Sequence, residues 1–140
     1  MKKITLAKLI QSSSIDASLI RAVVRQLGGW QSFKDHAPDI VNHGIDGGYY
    51  GFIWNTDTVA FTKRNKSAII DLCKQMADDF GQSGTIEFIA SFNCLKGTSQ
   101  EEVADGLYNP RSVDRTTIYN ALAWFAGEEV CRAYDDMVQS

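Results

Sequence analysis

Residues 114–137 read DRTTIYNALAWFAGEEVCRAYDDM, with apolar side chains at Ile118, Ala121, Leu122, Phe125, Ala126, Val130, Ala133, Tyr134 and Met137. Spacings of three and four over this length predict one long helix, opened by Ser112 or Asp114 and running nearly to the C-terminus. At about 1.5 Å per residue it extends roughly 35 Å, enough to act as the spine of a fold. Gly127 within it costs about 1 kcal/mol relative to alanine, which points to the close approach of another helix backbone.

Working outward, the same period recurs. Ile69, Ile70, Leu72, Cys73, Met76, Ala77 and Phe80 form an apolar stripe that Asn65 can cap and Gly81 stops. Ile15, Leu19, Ile20, Val23, Val24 and Leu27 form another, with Ser14 as the expected N-cap and Gly28-Gly29 as the stop. A shorter helix through Leu6, Leu9 and Ile10 is started by Thr5 and dissolved by the serines at 12–14. Asn55, Thr56 and Asp57 offer caps for a helix through Val59, Ala60 and Phe61. Thr98 or Ser99, followed by Glu101 and Glu102, makes a capping-box start for a helix that Asn109-Pro110 ends. From Trp30 to Gly44 the pattern weakens, with Ser32 and Pro38-Asp39 each able to start a turn. Residues 85–95, TIEFIASFNCL, alternate like a strand at Ile86, Phe88, Ala90 and Phe92, yet Ile86, Ile89, Ala90 and Asn93 fit a helix, the form their neighbours favour. The expected fold is all-α: a single compact orthogonal helix bundle over residues 1–140, with a long C-terminal helix and a glycine- and aromatic-rich loop.

Hydrophobic residues make up 44% and charged residues 22% of 140, a globular balance that argues against a disordered or fibrous chain. A net charge of −3 argues against nucleic acid as a partner, since such proteins present a basic face. The tight basic cluster Lys63, Arg64, Lys66 reads first as a solvated helix junction and second as a phosphate-contact patch. Cys73, Cys94 and Cys131 lack C-x-x-C spacing and lie in apolar stretches, as reduced core thiols of a cytoplasmic protein do. No run has the 18 or so apolar residues of a membrane span. The N-terminal MKKITLAKLI starts like an export leader, but Lys8 breaks its apolar region.

The segment 43–61, HGIDGGYYGFIWNTDTVAF, carries Gly44, Gly47, Gly48 and Gly51 among Tyr49, Tyr50, Phe52, Trp54 and Phe61. Its glycines match neither G-x-G-x-x-G nor G-x-x-x-x-G-K-[ST], and no lysine follows to reach a phosphate. Two readings remain: a turn whose Phe52, Ile53 and Trp54 anchor inward, and a recognition loop presenting rigid tyrosines to a partner. Gly47, Gly48, Tyr49, Tyr50, Gly51 and Trp54 are the candidate partner-binding residues.

The run from Gly47 to Phe61, the later Ser91-Phe92-Asn93-Cys94, and Ala121-Leu-Ala-Trp-Phe-Ala-Gly-Glu-Glu-Val-Cys-Arg132 together resemble a family of small phage and prophage proteins over about two thirds of the chain. A looser likeness, glycine pair followed by aromatics, is to antirestriction proteins of the KlcA/ArdB type. The resemblance implies a mobile-element accessory protein acting in the host cytoplasm. By analogy with such proteins, it implies binding to a host protein or complex, with inhibition of a CRISPR or restriction system as the sharpest version. A homodimer stays open.

Two other classes are weighed. His36 and His43, with Asp35, Asp39, Asp46 and Tyr50 near them in sequence, are the residues of a small ligand- or metal-binding enzyme-like site, although the i, i+4 pair of a zinc helix is absent. A nucleic-acid-binding accessory protein would use Lys63, Arg64 and Lys66. Glu128-Glu129 and Asp135-Asp136 read as a solvated acidic face, since no Glu-x-x-His pair accompanies them. With no nucleophile elbow and no Ser-His-Asp order, no catalytic residue is assigned, no cofactor or metal is expected, and a non-enzymatic protein is the expectation.

Overall fold

Thr5, Asp16 and Ser99 each precede a run of helix formers, and each spends its side-chain oxygen on a free backbone N–H two or three residues on. The computed structural model describes residues 3–43 and 58–140, with every side chain in those ranges except those of Asn42, His43 and Asn93. The described residues form seven α-helices and no strand: α1 (Leu6–Ser12), α2 (Ala17–Gln26), α3 (Trp30–His43), α4 (Thr58–Arg64), α5 (Lys66–Ala90), α6 (Gln100–Tyr108) and α7 (Arg115–Gln139), with one 3-10 turn at Asn93–Leu95. The all-α class expected from periodicity is the one found.

Packing divides the chain into two units. The first is Met1–Asn55 with Phe125–Ser140, and the second is Thr56–Trp124, so α7 contributes residues to both.

In the first unit, α2 is capped by Asp16 rather than by Ser14, with the Asp16 carboxylate accepting from the Ser18 backbone N–H at 3.0 Å. Leu27 closes the helix, and Gly28 and Gly29 follow at φ of 90° and 103°, a backbone that residues with a Cβ rarely adopt. α3 then runs unbroken past Pro38, where two separate turns are the sequence expectation. Pro38 has no N–H to return to the Lys34 carbonyl. Burial of Phe33, Ala37 and Ile40 on the same helix offsets that loss. Leu9, Leu19, Ile20, Val23, Ala126, Val130 and Cys131 complete this core. Against it lies a ring cluster. Trp30 stacks on Phe33 with centroids 5.5 Å apart, and Tyr134 meets both edge-on at 5.8 and 5.5 Å.

In the second unit, Phe61, Ile69, Ile89, Leu95, Val103, Ile118 and Leu122 are almost fully buried. Asn65 precedes α5 without a side-chain cap, because its amide donates to the Phe61 carbonyl at 2.9 Å instead. α5 is two helical segments joined at Gly81, whose φ of 77° and ψ of 164° lie outside the helical region. The stop expected at Gly81 is therefore a break, and the ambiguous stretch beyond it is helical through Ala90. The Thr85 hydroxyl, fully buried, donates to the Gly81 carbonyl at 2.8 Å and steadies the break. α6 begins with the expected capping box, Ser99 with Glu102. Its Gly106 allows close packing on α7: a Cβ there would lie 2.5 Å from Ile118 Cγ1.

Candidate functional site

The residues first expected to meet a partner, Gly47, Gly48, Tyr49, Tyr50, Gly51 and Trp54, lie outside the described residues. So do Asp46 of the ligand-site alternative and Asn55, Thr56 and Asp57. His36 sits on α3, not on a loop, with Nδ1 2.7 Å from the Ser32 carbonyl one turn back. Among the described residues no three His, Cys, Asp or Glu side chains are grouped so as to hold a metal ion. None of the described helices is long and apolar enough to cross a membrane. Cys73 and Cys131 are buried free thiols, and burial pushes both above the ordinary thiol range.

Two surfaces of the second unit stand out. The first is an aromatic row on α5. Phe80 is 62% exposed and Phe88 39% exposed, and their ring centroids are 6.3 Å apart. Phe88 in turn meets Phe92 edge-on at 5.3 Å. Residues eight apart in an unbroken helix are separated by about 12 Å along its axis. The break at Gly81 brings Phe80 back toward Phe88, so one backbone conformation assembles an exposed aromatic surface that the straight helical stripe does not foretell.

The second is a pocket of about 320 Å³ lined by Val59, Thr62 and Lys63 of α4, Lys66 at the start of α5, and Arg115, Thr116, Tyr119 and Asn120 from the first two turns of α7. Lys63 belongs to the last turn of α4, where a cation suits the helix dipole. Lys66 and Arg115 are the first residues of their helices, and neither first turn holds an acidic residue. Two positive charges thus sit where helix dipoles disfavour them. The Arg115 guanidinium lies 4.9 Å from the centre of the Tyr119 ring, a contact that limits how the side chain swings. The Thr62 hydroxyl is committed to the Thr58 carbonyl at 2.8 Å. Asn120 Oδ1 is buried with no hydrogen-bond partner. Asn120 also borders a smaller pocket of about 190 Å³ shared with Cys94, Leu95, Thr117, Ala121 and Trp124. Trp124 is pinned by its indole N–H donating to Thr58 Oγ1 at 3.0 Å.

Of the basic cluster seen in the sequence, Lys63 and Lys66 line this pocket and Arg64 does not. Arg115, Tyr119 and Asn120 escape sequence reasoning. The one clue is the arginine that opens the long helix, a poor choice for that end. A larger cleft in the first unit, about 710 Å³ beside Trp30 and Tyr134, includes Lys34, which already lies over the Trp30 ring at 5.8 Å.

A family model described as a domain of unknown function, DUF7222, matches residues 12–139. The chain belongs to the DUF7222 family. No curated protein and no solved structure matches it. The DUF7222 match takes in α2 to α7 and only the last residue of α1, and so includes both surfaces of the second unit.

Proposed function

We propose that this DUF7222 protein is a non-enzymatic phage or mobile-element accessory protein that binds and inhibits a host protein or complex in the bacterial cytoplasm, a CRISPR or restriction defence system being the target. The exposed pair Phe80 and Phe88, with half-buried Phe92 against Phe88, carries the reading. Phenylalanines held together in water are poorly placed for a chain that works alone, and aromatic side chains are enriched where proteins meet. The sequence resemblance to phage proteins supplies the setting. Gly47, Gly48, Tyr49, Tyr50, Gly51 and Trp54, on the sequence alone, are further candidates for partner contact.

The test expresses the protein in bacteria that carry an active CRISPR or restriction system and measures phage plating efficiency. A rise in plating efficiency that is lost in Phe80→Ser/Phe88→Ser, with helicity retained, supports the reading. Unchanged plating across hosts of both defence classes overturns the defence assignment. Loss of the effect in Tyr49→Ala/Tyr50→Ala assigns those residues to the contact, and full retention removes them from it.

A further inference from the structure

We propose that the surface made by Phe80 and Phe88 docks a basic, amphipathic segment of a partner protein, an assignment that rests on the partner-binding reading of that surface. An apolar side chain of the segment covers the two rings, and its arginines or lysines meet Asp78, Asp79 and Glu87.

Two glycines build the apolar part. Gly81 turns the backbone, and Gly84 clears the space over which Phe80 is folded: a Cβ at Gly84 would lie 3.2 Å from Phe80 Cβ. Side chains four residues apart in an unbroken helix stand about 5–6 Å apart at Cβ, so the approach belongs to the break. Exposed Tyr108 of α6 is hydrogen-bonded to the Gln82 side chain, which places a third ring beside the break. Exposed rings add little to a fold, so a backbone shaped to gather them points to contact with another molecule.

Charge decides what covers them. Asp78 and Asp79 directly precede Phe80, Glu87 directly precedes Phe88, and all three are exposed. Among the described residues, none of the three is in an ion pair. From Asp71 to Asn109 the chain carries seven acidic residues and two basic ones, whereas the whole chain carries 17 and 14. The acidity of the protein is thus concentrated in α5, α6 and the link between them, and the remainder has a slight positive excess. Such a face repels a nucleic-acid backbone or an anionic lipid surface and steers a basic protein segment toward it over about 8 Å at physiological salt. A second copy docking through the same face brings like carboxylates together, which opposes a symmetric dimer here. Arginine suits both parts of the surface, because its guanidinium pairs with carboxylates and stacks on aromatic rings.

The test selects displayed random peptides on the immobilised full chain, with a parallel selection on Phe80→Ser/Phe88→Ser. Peptides enriched on the wild type alone are expected to combine arginine or lysine with a leucine or aromatic anchor. In calorimetry they are expected to bind Asp78→Asn/Asp79→Asn/Glu87→Gln at least about 10-fold more weakly than the wild type. Asp35→Asn/Asp135→Asn/Asp136→Asn, which removes equal charge from the first unit, is expected to bind within about 2-fold of it. The acidic positions are exposed, so their variant reports on docking even where the phenylalanine variant disturbs folding. The proposal is overturned if no peptide is enriched, if the enriched peptides are neutral or acidic, or if either surface variant retains them. It is also overturned if the first-unit variant weakens binding as much, or if sedimentation shows a dimer that Phe80→Ser/Phe88→Ser abolishes. Basic peptides captured by a protein that gives no protection against phage uphold this assignment and remove only the defence reading; protection with neutral or acidic peptides does the reverse.

Discussion

Asp16 illustrates how far one side chain governs an element. Hydrogen bonds from the Ser18 hydroxyl and backbone N–H hold its carboxyl below the ordinary aspartate range. A carboxylate whose pKa falls on folding contributes stability above its unfolded value of about 3.9, and that contribution is lost as pH falls through the folded value. Asp16→Ala should therefore lower the unfolding free energy by about 1 kcal/mol near neutral pH. Urea denaturation at pH 7 and in strong acid checks this: the gap between variant and wild type should narrow in acid, by the part that depends on the carboxylate charge, whereas Asp16→Asn should keep a similar cap at both. Glu129 behaves in the opposite sense. Burial pushes its carboxyl up, against the pull of Arg132. Its contribution is complete below the unfolded value of about 4.3 and is lost as pH rises through the raised folded value. Glu129→Gln should raise the melting temperature at neutral pH and lose that advantage in acid. Arg132 gives up only a 3.4 Å contact by the change and keeps Glu128 at 2.8 Å.

At the scale of elements, two glycines that look alike in the sequence act through different physics. Gly81 adopts a backbone nearly reserved for glycine, with open space where a Cβ would go. Gly81→Ala should cost about 1–3 kcal/mol through strain alone. It should also separate Phe80 from Phe88, which near-ultraviolet circular dichroism would register. Gly106 instead has no room, since Ile118 and the Asp114 carbonyl lie within 3.3 Å of the point an alanine methyl would occupy. Gly106→Ala should cost about 1–3 kcal/mol by overpacking, and Ile118→Ala, which removes the Cγ1 that the new methyl meets, should cost less in that background than in the wild type in a double-mutant cycle. Periodicity makes α2, the first segment of α5 and α7 readable, because each turns an apolar stripe inward. Caps are harder: Ser14 and Asp16 offer similar oxygens two residues apart, and only backbone geometry chooses between them. α3 reads as broken because proline usually punctuates a helix, while the burial of Phe33 and Ile40 that carries the helix through is a tertiary effect. Lys63 and Lys66 are visible as neighbours in sequence. Their third partner, Arg115, arrives only through folding, as does the orphaned oxygen of Asn120.

For the whole molecule, the three cysteines give a graded report on opening. Cys131 is fully buried and Cys73 nearly so, both with thiols pushed up by loss of water, whereas Cys94 is half-buried. A thiol reagent attacks the thiolate, so labelling of the native protein at mildly alkaline pH should be fastest at Cys94. Cys131 should react only at the rate at which its unit opens, slowed by orders of magnitude relative to an unfolded control. Mass spectrometry after timed quenching measures all three, and labelling of Cys131 ahead of Cys94 would contradict the described packing. The division of the chain carries one more implication. The second unit is a single uninterrupted stretch, Thr56–Trp124, and it holds the aromatic row and the basic pocket together. Both surfaces are thus encoded by one short block of gene, whose end falls inside the helix α7.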